Sequence, residues 1–213
     1  MRGVMRKGKF ITFEGCDGCG KTSQMRMLIE YLRERGYDVL STREPGGAEV
    51  SEKIRTIILD SAYDAMHPVA ESLLYAASRV QHYNELIRPA VAAGKLVICD
   101  RYIDSSLAYQ GSGRGLGYKF VLMLFKMTLK NAMPDLTIFI DVKPSVAFKR
   151  KGGVDENDRI ESAGADFHNK VYEGYMYAAK KFPKRVAVID ASGTKFETRD
   201  KIRKLLKNRG IIN

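Results

Sequence analysis

The 213-residue sequence predicts an α/β fold of three layers, a five-stranded parallel sheet flanked by helices. Two observations predict it. Five short apolar runs end at glycines, charged residues or turns, and segments with helical spacing alternate with them. The runs are short and largely apolar, as strands covered on both faces are. In order, Lys9–Glu14 is the first strand and runs into glycines. Residues 22–35 carry Met25, Leu28, Ile29 and Leu32 at helical spacing, and Gly36 is a natural stop. Residues 38–42 read as the second strand, ending at Pro45-Gly46-Gly47, and 48–59 as a helix. Residues 69–93 read as one long helical stretch that Pro89 breaks or bends. Residues 96–99 form a buried strand that ends at Asp100. Residues 118–131 are helical, 136–140 a strand, 170–181 a helix, 186–189 the last strand and 196–208 a basic helix. There is no internal repeat and no linker, so residues 1–213 read as one domain. The glycine- and charge-rich segment 149–164 is the candidate mobile lid.

The charge is uneven. The chain has 36 Lys and Arg against 25 Asp and Glu, a net +11. Residues 1–10 hold four positives and no negative, and residues 178–213 hold eleven positives against three negatives. That leaves 21 against 22, or −1, for the body. Basic ends on a neutral body argue for a solvated outer surface, and nucleic acid is not expected as a partner. The longest uncharged run, 105–113, is polar, so no membrane span is expected. Lys7 and Lys9 interrupt any secretory signal, and three cysteines make no disulfide framework, so the expected compartment is the cytoplasm.

Gly15-Cys16-Asp17-Gly18-Cys19-Gly20-Lys21-Thr22 fits G-x-x-x-x-G-K-[ST], the P-loop that cradles nucleotide phosphates. Glycines let backbone N–H groups turn inward onto phosphate oxygens, and the helix that follows points its positive end at them. Lys21 reaches the β- and γ-phosphates, and the Thr22 hydroxyl, followed by Ser23, is placed for Mg²⁺. Cys16 and Cys19 form a C-x-x-C, but no second pair exists to complete a zinc site. A P-loop also needs an acidic residue at a neighbouring strand end. Asp100 and Asp141 both qualify. Asp100 is preferred because Arg101 follows it and offers a guanidinium for phosphate. Asp141 reads as a strand-end turn before Pro144.

The stretches FEGCDGCGKT at 13–22, TREPGG at 42–47, DRYIDSSLAYQG at 100–111 and DRIE at 158–161 resemble the thymidylate kinase family, in that family's order. The resemblance implies the P-loop nucleoside monophosphate kinase fold with a short lid, a homodimer, and Mg²⁺-dependent transfer of the γ-phosphoryl of ATP to dTMP. A related nucleoside monophosphate or deoxynucleoside kinase with a broader acceptor range is the alternative. Such an acceptor is already anionic, so no histidine base is needed; His67, His82 and His168 read as structural or surface residues.

The resemblance also assigns roles. Asp17 would bind the 3′-hydroxyl of dTMP, Glu44 would border the monophosphate, and Arg55 would hold the acceptor phosphate. Tyr75 would stack on thymine and Arg79 would donate to its O4. Gln110 would contact the base edge, where an amide offers a donor and an acceptor. Ser105 and Ser106 would line the turn between, with Tyr109 close by. The family divides by where its catalytic arginine sits, either in the P-loop or in the lid. Gly18 puts this chain with the lid group, and leaves Arg150 and Arg159 as alternatives for the γ-phosphate contact, with Lys151 beside them.

Overall fold

The computed structural model describes residues 8–153 and 158–213. Its sheet has five parallel strands: β1 Lys9–Glu14, β2 Val39–Arg43, β3 Leu96–Asp100, β4 Leu136–Asp141 and β5 Val186–Asp190. They lie in the order β2-β3-β1-β4-β5. The first strand in sequence is therefore central, and its carboxyl end is where ligands bind in such sheets. Phe13 is in register with Asp100 of β3 and with Ile138 of β4.

Alternation along each strand divides the core into layers. Ile11, Phe13, Ile98, Ile138 and Ile140 pack against Leu28 and Leu32 of α1 (Lys21–Glu34) and Ile202 and Leu206 of α9 (Lys195–Asn208). Phe10, Val97 and Cys99 point the other way, onto Ile103, Leu107, Val121 and Phe125. Phe139 shares that second face with Phe167, Val171 and Tyr175 of α8 (Ala165–Lys181). The basic helix α9 sits as its pattern predicts, with Ile202 and Leu206 buried and a Thr194–Glu197 capping box at its start. Some of its charge is matched locally: Lys201 reaches Asp190 and Arg199 reaches Asp200.

Four expectations need correction. The stretch from residue 69 is α3 (Pro68–His82), a π turn (Tyr83–Ile87) and α4 (Arg88–Ala92). The π turn sits just before Pro89, where the ladder lacks a donor, so the disturbance is a widened turn and the helix runs on. The helix expected from residue 170 begins at Ala165; Phe167, Val171 and Tyr175 at four-residue spacing carried that signal. The turn expected at Ser105 and Ser106 is helical: after Asp100 closes β3, Ile103–Ser106 form α5, continued by a π turn (Leu107–Gly113) held by burial in spite of its glycines and serines. Within the expected lid, α7 (Pro144–Lys151) reaches into its first residues and a short 3₁₀ turn follows at Glu161–Ala163; residues 154–157 lie outside the described ones. Pro144 at the first helical position was the missed start signal. Helices α2 (Glu49–Leu59) and α6 (Tyr118–Thr128) lie where expected, α6 three residues shorter at its end.

Candidate active site

Two cavities open at the carboxyl end of the sheet and share Asp17, Glu44, Arg55 and Arg101. The first is an open trough along the P-loop, about 780 Å³. The second is a slot of about 120 Å³ between α2, α3 and the π turn after α5.

The trough is made chiefly by backbone. Gly20 takes φ 98° and starts α1 at Lys21, with no acidic residue in the first turn and no side-chain cap among the described residues. Its N–H groups remain for an anion. Lys21 Nζ donates to the carbonyls of Gly15 at 2.8 Å and Cys16 at 3.1 Å, which pins the ammonium under the loop. Gly18 has φ 81°, and a Cβ there would lie 2.1 Å from the Ala147 carbonyl oxygen of α7. The loop and the lid helix thus touch where only glycine fits. Thr22 and Ser23 line the trough with Asp100. Asp100 Oδ1 is buried without a hydrogen-bond partner among the described residues. An unpartnered carboxylate oxygen in a trough that a threonine hydroxyl also lines fits a Mg²⁺ ion that keeps most of its ligands from phosphate and water. Among the described residues no three His, Cys, Asp or Glu converge as a metal cluster, as such a site requires none. Cys16 and Cys19 are free and buried. Burial pushes the Cys16 thiol up to about 12 and raises Cys19 as well, so both stay protonated.

Arg101 stands where the two cavities meet. Its φ of 68° is a left-handed value, costly for a side chain as large as arginine. Its backbone N–H donates to Phe13 at 2.9 Å. Its guanidinium donates to Asp17 Oδ1 at 2.6 Å, Tyr175 Oη at 2.8 Å and Ser105 Oγ at 3.2 Å. Burial alone would raise the Asp17 carboxyl, but Arg101 and Lys21 override it and hold Asp17 well below the usual range. Tyr109 Oη also donates to Asp17, at 3.2 Å.

Beneath Arg101 lies Glu14, the last residue of β1 and fully buried. It accepts from Ser105 Oγ at 2.5 Å, from the Tyr102 N–H at 2.8 Å and from Tyr175 Oη at 3.2 Å. Burial, and then the nearby Asp104 charge, push it from 4.5 to about 7. Asp104 itself is clamped by Arg185 at 2.5 and 2.7 Å and by Thr137 at 2.9 Å.

The slot is made of side chains. Tyr75 lines it, half-buried, with Tyr109 and Gln110. Arg79 lines it too, but its Nε is spent on Glu44 at 2.7 Å. Its Nη2 donates to Ser106 Oγ at 2.9 Å and the Tyr102 carbonyl at 3.2 Å. Glu44 also faces His82 Nδ1 at 3.1 Å, while the far ring nitrogen meets Thr42 at 2.7 Å. Arg55 donates to the Pro45 carbonyl at 2.9 Å and lines both cavities.

The structure separates the two lid arginines. Arg150 lines the trough and donates to the Ala191 carbonyl at 3.1 and 3.2 Å. Arg159 is buried, bonded to the Ile58 carbonyl at 3.0 Å and paired with Glu71 at 2.8 Å, on the slot side. Asp141 accepts from Tyr172 at 2.8 Å. Glu71 and Arg114 carried no motif signal, and Glu14, although inside FEGCDGCGKT, was given no role; their contacts lie 39 to 161 residues away in sequence. Gln24 and Lys195 complete the far end of the trough, where Gln24 donates to the Lys195 carbonyl at 2.8 Å.

A family model described as thymidylate kinase matches residues 13–202. A thymidylate kinase of Thermoanaerobacter sp. (strain X514) is 51% identical over 184 residues, 86% of this chain and 90% of that protein. One from Finegoldia magna is 44% identical over 203 residues, 95% of this chain and all of that protein. The crystal structure of thymidylate kinase from Ehrlichia chaffeensis superposes with a TM-score of 0.75 at 34% identity, covering 94% of this chain and 98% of that one.

Proposed function

The chain belongs to the thymidylate kinase family and phosphorylates dTMP to dTDP with ATP, and we propose that the trough takes ATP, the slot takes dTMP and Arg101 serves both. The observation that carries this division is the Asp17–Arg101 ion pair at the boundary the two cavities share.

A phosphate oxygen of dTMP attacks the γ-phosphorus, the bond to the β–γ bridging oxygen breaks, and ADP leaves. That oxygen is already anionic at neutral pH, so no base has to remove a proton. Catalysis then rests on placed positive charge and alignment. Lys21 and the loop N–H groups hold the β- and γ-phosphates. Arg101 bridges the transferring group and the acceptor. Arg150 is the lid arginine on the γ-phosphate side, since it lines the trough. Arg159 acts from the acceptor side. Thr22 and Asp100 would hold Mg²⁺, which offsets phosphate charge when bound. Asp17, kept ionised by Arg101, is ready to accept from the 3′-hydroxyl of dTMP. Arg55 and Glu44 border the acceptor phosphate, Tyr75 stacks on thymine, and Arg79 keeps Glu44 and Ser106 in place.

We further propose a homodimer formed through the apolar residues exposed on α2, α3 and α6, namely Val50, Ile57, Leu73, Met123 and Met127. Leu73→Lys should shift the sedimentation coefficient to that of a monomer. Among the described residues no helix is long and apolar enough to cross a membrane. Its free thiols fit the reducing cytoplasm.

An ADP-release assay with dTMP, dUMP, UMP, CMP and AMP tests the acceptor assignment. dTMP should give the highest kcat/KM, and equal rates with CMP or AMP would favour a broader kinase.

A further inference from the structure

Glu71 lies behind Gln110, which lines the slot, and is a carboxylate that the mechanism above does not use. It sits on α3, fully buried. It accepts from Gln110 Nε2 at 2.8 Å, from Arg114 Nε at 3.1 and 3.3 Å, and pairs with Arg159 Nη2 at 2.8 Å. The two donors come from the π turn after α5 and from the residue that caps it, and the ion-pair partner comes from the lid segment. A carboxylate only accepts, whereas the two ends of an amide differ: one donates and one accepts.

We propose that Glu71 fixes which way round the Gln110 amide sits, and thereby tunes the slot to bases that carry a ring N–H. This rests on the reading that the slot holds the base of dTMP. The NH₂ of Gln110 is turned onto Glu71, so the carbonyl oxygen is the end left for a ligand. Gln110 lines the slot, and among the described residues nothing donates to its Oε1. Sequence alone leaves Gln110 both a donor and an acceptor; the buried carboxylate removes that choice. Thymine and uracil present N3–H, a donor, and meet the carbonyl well. Cytosine presents an unprotonated N3, so two acceptors would face each other in a dry pocket with both left unpaired. Sites that leave a buried polar group unpaired reject the wrong ligand by large factors. Arg114 and Arg159 hold Glu71 in turn, so the same carboxylate links base recognition to the lid segment. Glu71 touches neither substrate nor phosphate; it is a positioning residue.

The test compares dTMP with 5-methyl-dCMP, which keeps the methyl group and alters only the edge at positions 3 and 4. Wild type should prefer dTMP by about a thousandfold or more in kcat/KM. In Glu71→Gln the amide is free to turn, and that preference should fall at least about tenfold, mostly through KM for dTMP, with KM for ATP unchanged within about twofold. The ratio is taken within one preparation, so a partly unfolded variant does not distort it. Glu71→Asp, which keeps the charge but withdraws it from Gln110, should relax the preference in the same direction. An unchanged ratio in the folded variants overturns the proposal. Should neither fold, calorimetric titration of wild type decides. A loss of about thirtyfold or more in affinity from dTMP to N3-methyl-dTMP supports the carbonyl-facing amide, and equal affinity overturns it. A wild-type enzyme inactive on dTMP but active on another monophosphate overturns the assignment of the slot instead.

Discussion

The floor of the trough is one continuous stretch, Asp17 to Gln24, from the P-loop into the first turn of α1, and its walls come from several other segments. The slot is assembled from β2, α2, α3, α5 with its π turn, and the lid side. The trough presents glycine backbone and Lys21 at its floor, with Arg101 and Arg150 among the cations on its walls. Around the slot, carboxylates are already engaged: Glu44 by Arg79 and His82, Asp17 by Arg101, and, behind the lining, Glu71 by Arg114, Arg159 and Gln110. The difference fits the ligand part proposed for each one. A polyphosphate offers many equivalent oxygens, so backbone N–H groups at a helix start suffice. A base and a sugar offer a few distinct edges, so donors and acceptors must be held one by one.

Substitutions should divide along this line. The largest effect is expected for Lys21→Met. Rapid-quench kinetics should show kcat lower by about a thousandfold, while the melting temperature falls only slightly, since Nζ donates to two loop carbonyls and pairs loosely with Asp17 at 3.9 Å. Arg101→Ala comes next, with a loss of about a hundred- to a thousandfold in kcat and ATP affinity largely kept; near-wild-type turnover would remove Arg101 from the transition state. The lid arginines should then split the two regions. Arg150→Ala should cost about tenfold in kcat or in KM for ATP, whereas Arg159→Ala should raise KM for dTMP and lower the melting temperature by freeing a buried Glu71. Identical kinetic profiles for the two would erase the distinction between trough and slot at the lid.

The smallest effect concerns pH. Glu14 titrates near 7 in the folded chain against 4.5 ordinarily. Between these values the native state holds a proton that the unfolded state has released, so stability falls as pH rises from about 4.5 to 7 and the loss is complete above that. Glu14→Gln removes the titration. Urea melts should show the wild type losing stability relative to Glu14→Gln across that window, and parallel curves would place the Glu14 titration elsewhere.

Much of this was legible in the residues. The five strands followed from short apolar runs, and the trough from one motif, because local backbone geometry depends on local sequence. The slot was not legible in that way. Tyr75 alone reads as a core aromatic, and Gln110, Arg79 and Arg55 acquired roles only through likeness to a family. Glu14 reads as the end of a strand, yet its partners Tyr102, Ser105 and Tyr175 lie 88, 91 and 161 residues on. The helical state of α5 and its π turn escaped for a related reason. Its serines and glycines favour turns on their own, and burial between β1 and α8 decides otherwise.

Gly18 carries a consequence for how such enzymes change over time. The Ala147 carbonyl of α7 occupies the space a side chain at position 18 would need. An arginine introduced there first would push the lid helix away and dislodge Arg150 with it. A side chain at position 18 and the present seat of α7 therefore exclude one another, so the P-loop turn and the lid helix can change only together.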